Sequence, residues 1–394
     1  MHGITRVTVI VLDGVGVGAL PDAADFGDKG SNSIGNTARE LGGLDLPNMG
    51  RLGLGNLTTT VGVPPVVDTL GAYGKMAEKS GGKDSTVGHW ELTGVISPQP
   101  LPTYPDGFPQ ELIEEYERRI GRKTLGNVAI SGTVIIAQLG EEHMRTGRPI
   151  VYTSADSVFQ VAAHEEVISL DELYHICEVA REMLTGEHAV GRVIARPFVG
   201  EPGNFTRTQN RRDFSLEPPE PTFLDRLLES GQEVIGVGKV DDLFAERGLS
   251  LCHHTVDNRV ATEKVIELLG EQGTGMILAN LIEFDMVYGH RNNVEGYGKA
   301  LEVFDSDLPR IMGVMNPYDA LFIVSDHGND PTTPSTDHSR EYVPLLAYGP
   351  RLKAGVDLGI RETFADLGAT VAQLLGIDPM PNGTSFAGEI TQGS

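Results

Sequence analysis

The sequence predicts an α/β protein: a layered core on a mainly parallel sheet, with a smaller α/β domain inserted into it. Three observations carry that expectation. Short runs that are apolar on both faces recur along the chain and stop abruptly at polar residues, as strands buried in a parallel sheet do. Helical patterns lie between them, the alternation of a layered α/β fold. Two proline-rich stretches bracket the middle of the chain and read as paired hinges around an insertion.

Taken in order, the first strand is Val7-Thr8-Val9-Ile10-Val11-Leu12, ending at Asp13-Gly14. The hinges are Pro98 to Pro105 and Leu216 to Pro221, so the core is expected over 1–98 and 217–394 and the insertion over 99–216. Glu233 to Val237 ends near Lys239, and Gly275 to Phe284 ends at Asp285. Leu321 to Ser325 ends at Asp326-His327-Gly328, and Val343 to Tyr348 ends at Gly349-Pro350. A helix is expected from Arg361 to Leu375, closed by Gly376.

With 394 residues, the chain is long enough for two or three domains. A formal net charge of −24 repels phosphate backbones and anionic lipid, which argues against nucleic-acid and membrane-surface binding. No apolar run reaches the roughly 18 residues needed to span a bilayer, and the N-terminal apolar stretch is too short for a secretory leader. Cys177 and Cys252 form no metal-type pair, so a reducing cytoplasm is expected.

Ligands of an open parallel sheet sit beyond the carboxyl ends of its strands. Asp13, Asp285 and Asp326 all fall there, with His290 five residues beyond Asp285, His327 beside Asp326, and Asp337-His338 in a proline-broken loop. Three carboxylates and three imidazoles suffice for two three-ligand sites of the Mn²⁺ or Zn²⁺ type. Two such ions clamp a transferring phosphoryl group. The plainer alternative is a set of turn-forming acids and solvated histidines.

The stretch Lys79 to Glu91 supplies hydroxyls at Ser85 and Thr86 before an expected helix start at His89-Trp90. Either hydroxyl is a candidate nucleophile near a metal; either is also an ordinary helix cap. The phosphate-loop pattern Gly-x-x-x-x-Gly-Lys-Ser/Thr is absent. The spacing Gly14-x-Gly16-x-x-Ala19 hints weakly at a dinucleotide site, but Pro21 interrupts the helix such a site requires.

In the insertion, Arg192, Arg196, Arg207, Arg211 and Arg212 form a basic island, suited to an anionic small molecule, with Lys239 a further candidate. Pairing with surface carboxylates is the alternative. Ser154 and Asp156 end another apolar strand and suit sugar hydroxyls, or a turn.

Together these residues resemble the alkaline phosphatase superfamily of metalloenzymes. The likeness is closest to its pentose phosphate mutases, through Tyr152 to Val158, Val190 to Phe198, Gly203 to Thr208 and Thr336 to Pro344. The resemblance implies an alkaline-phosphatase-like core with a cap. It implies interconversion of ribose 1-phosphate and ribose 5-phosphate, and of the deoxyribose pair. It also implies two Mn²⁺ ions, other divalent ions being alternatives, and a sugar bisphosphate such as glucose 1,6-bisphosphate as activator. By the family pattern Asp13, Asp326 and His327 hold one metal, and Asp285, His290 and His338 the other. The phosphorylated hydroxyl falls on Ser85, where the family pattern has threonine, with Thr86 as the fallback. Ser154, Asp156, Arg192, Arg196, Arg207 and Lys239 are the expected substrate contacts. A phosphatase or phosphodiesterase of the same superfamily is the rival enzyme reading. A non-catalytic sugar-phosphate binder is the rival from another class. A sulfatase is disfavoured, because neither cysteine begins the Cys-x-Pro-x-Arg motif.

Overall fold

A computed structural model describes residues 3–154 and 156–391. Ala155, within the Tyr152 to Val158 stretch, lies outside the described residues, as do residues 1–2 and 392–394. In chain order the strands are β1 (Arg6–Leu12), β2 (Ala72–Met76), β3 (Leu125–Ala129), β4 (Ile150–Thr153), β5 (Val158–His164), β6 (Arg192–Glu201) and β7 (Asn204–Arg207). They continue with β8 (Arg212–Ser215), β9 (Val234–Val237), β10 (Leu251–His253), β11 (Gly275–Leu281), β12 (Asp319–Val324), β13 (Val343–Tyr348) and β14 (Val356–Arg361). The chain divides into two compact units, Met1–Pro100 with Pro218–Ser394, and Leu101–Glu217.

The first unit holds an eight-stranded sheet in the order β10-β9-β11-β1-β12-β13-β2-β14. The pairs β10–β9, β9–β11, β11–β1, β1–β12 and β2–β14 are parallel. Strands β1, β11 and β12 are buried along their whole length, which is why they read as unbroken apolar runs rather than as alternations. Arg6, in β1, is an exception in kind but not in satisfaction. Its guanidinium pairs with buried Asp319 at 2.7 Å and donates to the carbonyls of Leu268 and Leu269. The 21-residue helix Val294–Val314 packs Leu301, Phe304 and Leu308 into the same core as Ile10 and Leu12.

Three local expectations shift. Val343 to Tyr348 is a strand, but β13 runs antiparallel to both β12 and β2, because an apolar run carries no direction. Arg361 does not begin a helix: it closes edge strand β14, and the helix is Ala365–Leu374. The run from Gly275 leaves the sheet at Leu281, and Phe284–Tyr288 forms a wide π-type turn, a distortion common at functional sites.

The second unit carries a six-stranded mixed sheet, β3-β4-β5-β6-β7, with β8 also pairing β6. Helix Gly132–Thr146 packs Ile135 and Ile136 against Tyr152, Ala162 and Phe198 on one face. Helices Gln110–Ile120 and Leu170–Met183 cover Val161, Val193 and Ala195 on the other. Alternation along β6 therefore puts Arg192 and Arg196 opposite Val193 and Ala195, on the side of Tyr152. Among the described residues no helix is long and apolar enough to cross a membrane.

Candidate metal centre and nucleophile

Neighbouring strands β11, β1 and β12 end together, so Asp13 meets Asp285 and Asp326 although both lie more than 250 residues away from it in sequence. Asp13 follows β1 directly and accepts from Asn280 Nδ2 at 2.9 Å. Asp326 follows Ser325 at the end of β12 and accepts from the Gly14 amide at 3.1 Å. Asp285 sits in the π-type turn and accepts from Asn329 Nδ2 at 2.6 Å.

The imidazoles converge on these carboxylates. His327 Nε2 lies 3.4 Å from Asp13 Oδ1 and 3.3 Å from Asp326 Oδ2. His290 Nε2 is 3.1 Å from Asp285 Oδ2, and His338 Nε2 is 3.3 Å from Asp285 Oδ1. Donor atoms of Asp13, Asp326 and His327 lie within 4.8 Å of one another, and so do those of Asp285, His327 and His338. His327 thus belongs to both groups, and Asp285 links His290 to His338.

The donor set fits divalent cations. His327 and His290 direct Nδ1 at the carbonyls of Gly328 (3.0 Å) and Thr336 (2.6 Å), which leaves Nε2 facing the carboxylates, the tautomer a metal ligand needs. Asp326 Oδ2 is buried without a hydrogen-bond donor of normal geometry. Electrostatics point the same way. Burial and the neighbouring Asp326 push Asp13 up. Burial works against the His327 imidazolium, yet Asp326 and Asp13 overrule it and hold its pKa well above the ordinary range. Burial likewise opposes the charged form of His290, and Asp285 nonetheless lifts it to about 9. Three buried carboxylates in one place attract positive charge, and divalent ions supply it.

Ser85 opens the helix Ser85–Leu92, and Asp84 caps it by accepting from the Val87 amide at 3.1 Å. The Ser85 hydroxyl donates to Asp13 Oδ1 at 3.3 Å, and its Oγ lies 3.0 Å from His327 Nε2. Thr86, about 100° further round the helix, makes no side-chain hydrogen bond to this cluster among the described residues. The helix therefore begins four residues before His89, where sequence reading started it. That shift left one neighbour of the cluster out of the expected site. His89 sits one turn after Ser85, is buried, and places Nδ1 2.8 Å from Ser85 O and 3.1 Å from Asp326 Oδ2. Asn280 and Asn329 were also missed; the only signal was an amide inside the apolar run of β11 and another just past Asp326-His327.

Lys83 and Arg340 tie down the segment that presents Ser85. Lys83 Nζ pairs with Asp28 at 3.0 Å and Asp337 at 3.4 Å. Buried Arg340 donates to Glu78 Oε2 at 2.8 Å and to Gly82 O at 2.6 Å.

None of the remaining candidates belongs to either of these donor groups. Lys239 caps the short helix Val240–Phe244 in the first unit, with Nζ 3.8 Å from Met286 Sδ. In the second unit, Ser154 lines a cavity of about 400 Å³ with Thr103, Pro105, Ala129, Ile130 and Ser131. Its Oγ accepts from the amide of exposed Asp156 at 3.3 Å. Arg196 donates to Gln160 at 3.1 Å, and burial, with nearby Arg211, lowers its pKa. Arg207 lies exposed on β7. Part of the basic island is paired: Arg192 lies 3.7 Å and Arg211 2.5 Å from Asp213, and Arg212 lies 3.8 Å from Glu178.

A family model described as the metalloenzyme superfamily matches residues 5–379. A protein named phosphopentomutase from Carboxydothermus hydrogenoformans is 60% identical over 385 residues, covering 98% of this chain and 99% of that one. Another of the same name, from Caldanaerobacter subterraneus subsp. tengcongensis, is 59% identical over 387 residues, covering 98% of each. Among solved structures, a phosphoglycerate mutase of Leishmania mexicana shares the fold, with a TM-score of 0.50 at 14% identity and 97% of each chain covered.

Proposed function

The chain belongs to the metalloenzyme superfamily and, within it, to the phosphopentomutase family, and on that premise we propose that it interconverts α-D-ribose 1-phosphate and D-ribose 5-phosphate, together with the 2-deoxyribose pair. It is then an isomerase that works by phosphoryl transfer through Ser85. The observation that carries this reading is the 3.0 Å approach of Ser85 Oγ to His327 Nε2, inside a cluster of three carboxylates and three imidazoles.

Asp13, Asp326 and His327 are assigned to one divalent ion, and Asp285, His290 and His338 to the other; Mn²⁺ is the proposed metal. Bound there, such ions neutralise the developing charge of a transferring phosphoryl group. The rest falls to the chain. Asp84, as cap, fixes the helix that points Ser85 Oγ at the cluster. The phosphate on Ser85 passes to the free hydroxyl of a pentose monophosphate, giving a pentose bisphosphate; the hydroxyl loses its proton and Ser85 Oγ regains one. The bisphosphate then returns its other phosphate to Ser85. His89, bonded to the Ser85 carbonyl, keeps the first turn of the helix in register with Asp326. Arg192, Arg196 and Arg207 are assigned to the phosphate that is not reacting, so its binding energy orients the one that is. Ser154 and Asp156 are assigned to sugar hydroxyls, and Lys239 to the substrate as well. A sugar bisphosphate such as glucose 1,6-bisphosphate primes the unphosphorylated enzyme. The two free cysteines suit a reducing cytoplasm.

The test is labelling. Incubated with Mn²⁺ and glucose 1,6-bisphosphate carrying radioactive phosphate, the wild type takes label on the peptide that contains Ser85. Ser85→Ala abolishes it, and Thr86→Val keeps it. Undiminished label in Ser85→Ala rejects the assignment. Release of free phosphate in place of isomerised sugar phosphate rejects the mutase reading.

A further inference from the structure

A second mixed set of donors meets at the edge of the core sheet. Asp241 in the helix Val240–Phe244, Cys252 in edge strand β10, and His254 just beyond it offer a carboxylate oxygen, a sulfur and an imidazole nitrogen, all within 4.8 Å of one another. Cys252 and His254 are two residues apart, the spacing that turns extended side chains to one side. Asp241 Oδ2 lies 2.5 Å from His254 Nε2. Its other oxygen, Oδ1, is buried and has no hydrogen-bond partner. A buried carboxylate oxygen without a well-formed hydrogen bond is costly, and a cation held between it and the neighbouring Cys252 sulfur would satisfy it. Cys252 Sγ lies beside the Asp241 carboxylate and makes a long contact, 3.9 Å, with Gly238 O. None of the three takes part in the phosphoryl-transfer centre.

We propose that Asp241, Cys252 and His254 form a binding site for a thiophilic divalent cation, Zn²⁺ being the fitting one, separate from the six-ligand centre. One thiolate, one imidazole and one carboxylate make a three-ligand tetrahedral set, with the fourth position open to water on the side of exposed His254. The sulfur sets this site apart chemically. Mn²⁺ and Mg²⁺ prefer oxygen, whereas a thiolate selects Zn²⁺ and its relatives. Burial, with the Asp241 carboxylate beside it, pushes the free Cys252 thiol up to about 12, so the metal-free site carries a proton on sulfur. Binding forms the metal–sulfur bond and releases that proton to the buffer. A bound ion would pin edge strand β10 to the helix that follows Lys239.

Co²⁺ is the probe, because its bond to a thiolate gives a charge-transfer absorption that Asp and His ligands cannot produce. The Mn²⁺-loaded enzyme, titrated with Co²⁺, is expected to show this band with one equivalent bound, and Zn²⁺ should erase it. Cys252→Ser loses the band. His254→Ala and Asp241→Asn weaken Co²⁺ binding by about tenfold or more. Melting temperatures and the Mn²⁺-dependent turnover of Cys252→Ser stay at wild-type values, which shows that the band was not lost through unfolding. Absence of the band in the wild type overturns the proposal. So does its survival in Cys252→Ser, which would place the metal at Cys177, or equal affinity in the Asp241 and His254 variants.

Discussion

Gly88→Ala is the sharpest test of the idea that the nucleophile helix must press against the end of β12. Gly88 lies three residues after Ser85 in the same two-turn helix. A Cβ built there would stand 2.2 Å from the Asp326 carbonyl oxygen and 2.9 Å from its carbon, both backbone atoms that no rotamer change can remove. Real Cβ contacts essentially never fall below 3.0 Å, so helix and strand end must separate by at least 0.8 Å. The helix is short and moves as a unit, so Ser85 Oγ retreats from His327 by a similar amount. A misplacement near 1 Å costs about 10²-fold in rate when reacting groups must be aligned. The folded state loses about 1–3 kcal/mol to overpacking, partly offset by roughly 1 kcal/mol from the better helix propensity of alanine. Turnover of ribose 1-phosphate followed by phosphorus NMR, alongside bound metal and melting temperature, reads both effects. Gly313→Ala is the control: in the last turn of the helix Val294–Val314, with nothing within 4 Å of the added carbon, it should leave turnover unchanged and add no more than about 1 kcal/mol of stability. A folded, metal-loaded Gly88→Ala enzyme that turns over within about threefold of wild type refutes the reasoning.

Arg340→Ala strands the Glu78 carboxylate, which is 1% exposed and 2.8 Å from the guanidinium, so urea unfolding should show a loss of about 3–5 kcal/mol. The double variant Glu78→Leu with Arg340→Met should recover most of it, and a single-variant loss below about 1 kcal/mol contradicts the buried-pair argument. Glu341 is fully buried, and burial lifts its carboxyl to about 7 from an ordinary 4.5. Its folded pKa lies above the unfolded one, so the folded state holds the extra proton between them. Stability is therefore greatest below the unfolded value and declines as pH rises to about 7, by about 3 kcal/mol; Glu341→Gln flattens that decline, and an unaltered slope rules it out. Chelation should abolish turnover and lower the melting temperature, because Asp13, Asp285 and Asp326 are left uncompensated, and Mn²⁺ should restore both. Turnover that survives complete metal removal would falsify the metal assignment.

What the sequence made legible follows from how a parallel sheet is built. Strand ends lie side by side whatever the distance along the chain, so an apolar run that stops at Asp is enough to bring Asp13, Asp285 and Asp326 into one neighbourhood. The histidines came with them because each lies within a few residues of an acid or on the loop beyond β12. The direction of β13 was not legible, since an apolar run is the same read either way. Arg361 looked helical because its neighbours are, yet its guanidinium is taken by Asp366 at 2.8 Å from the end of an edge strand. The helix start at Ser85 was hidden by Gly88. A glycine in a helical pattern reads as a break, and from the chain alone nothing opposes that reading. Here the glycine is demanded by a neighbour 238 residues away, whose carbonyl occupies the space a side chain would need. The same close approach lets His89 reach Asp326 and Ser85 reach His327. The residue that most obscured the site in the sequence is therefore the one whose missing side chain allows the site to assemble.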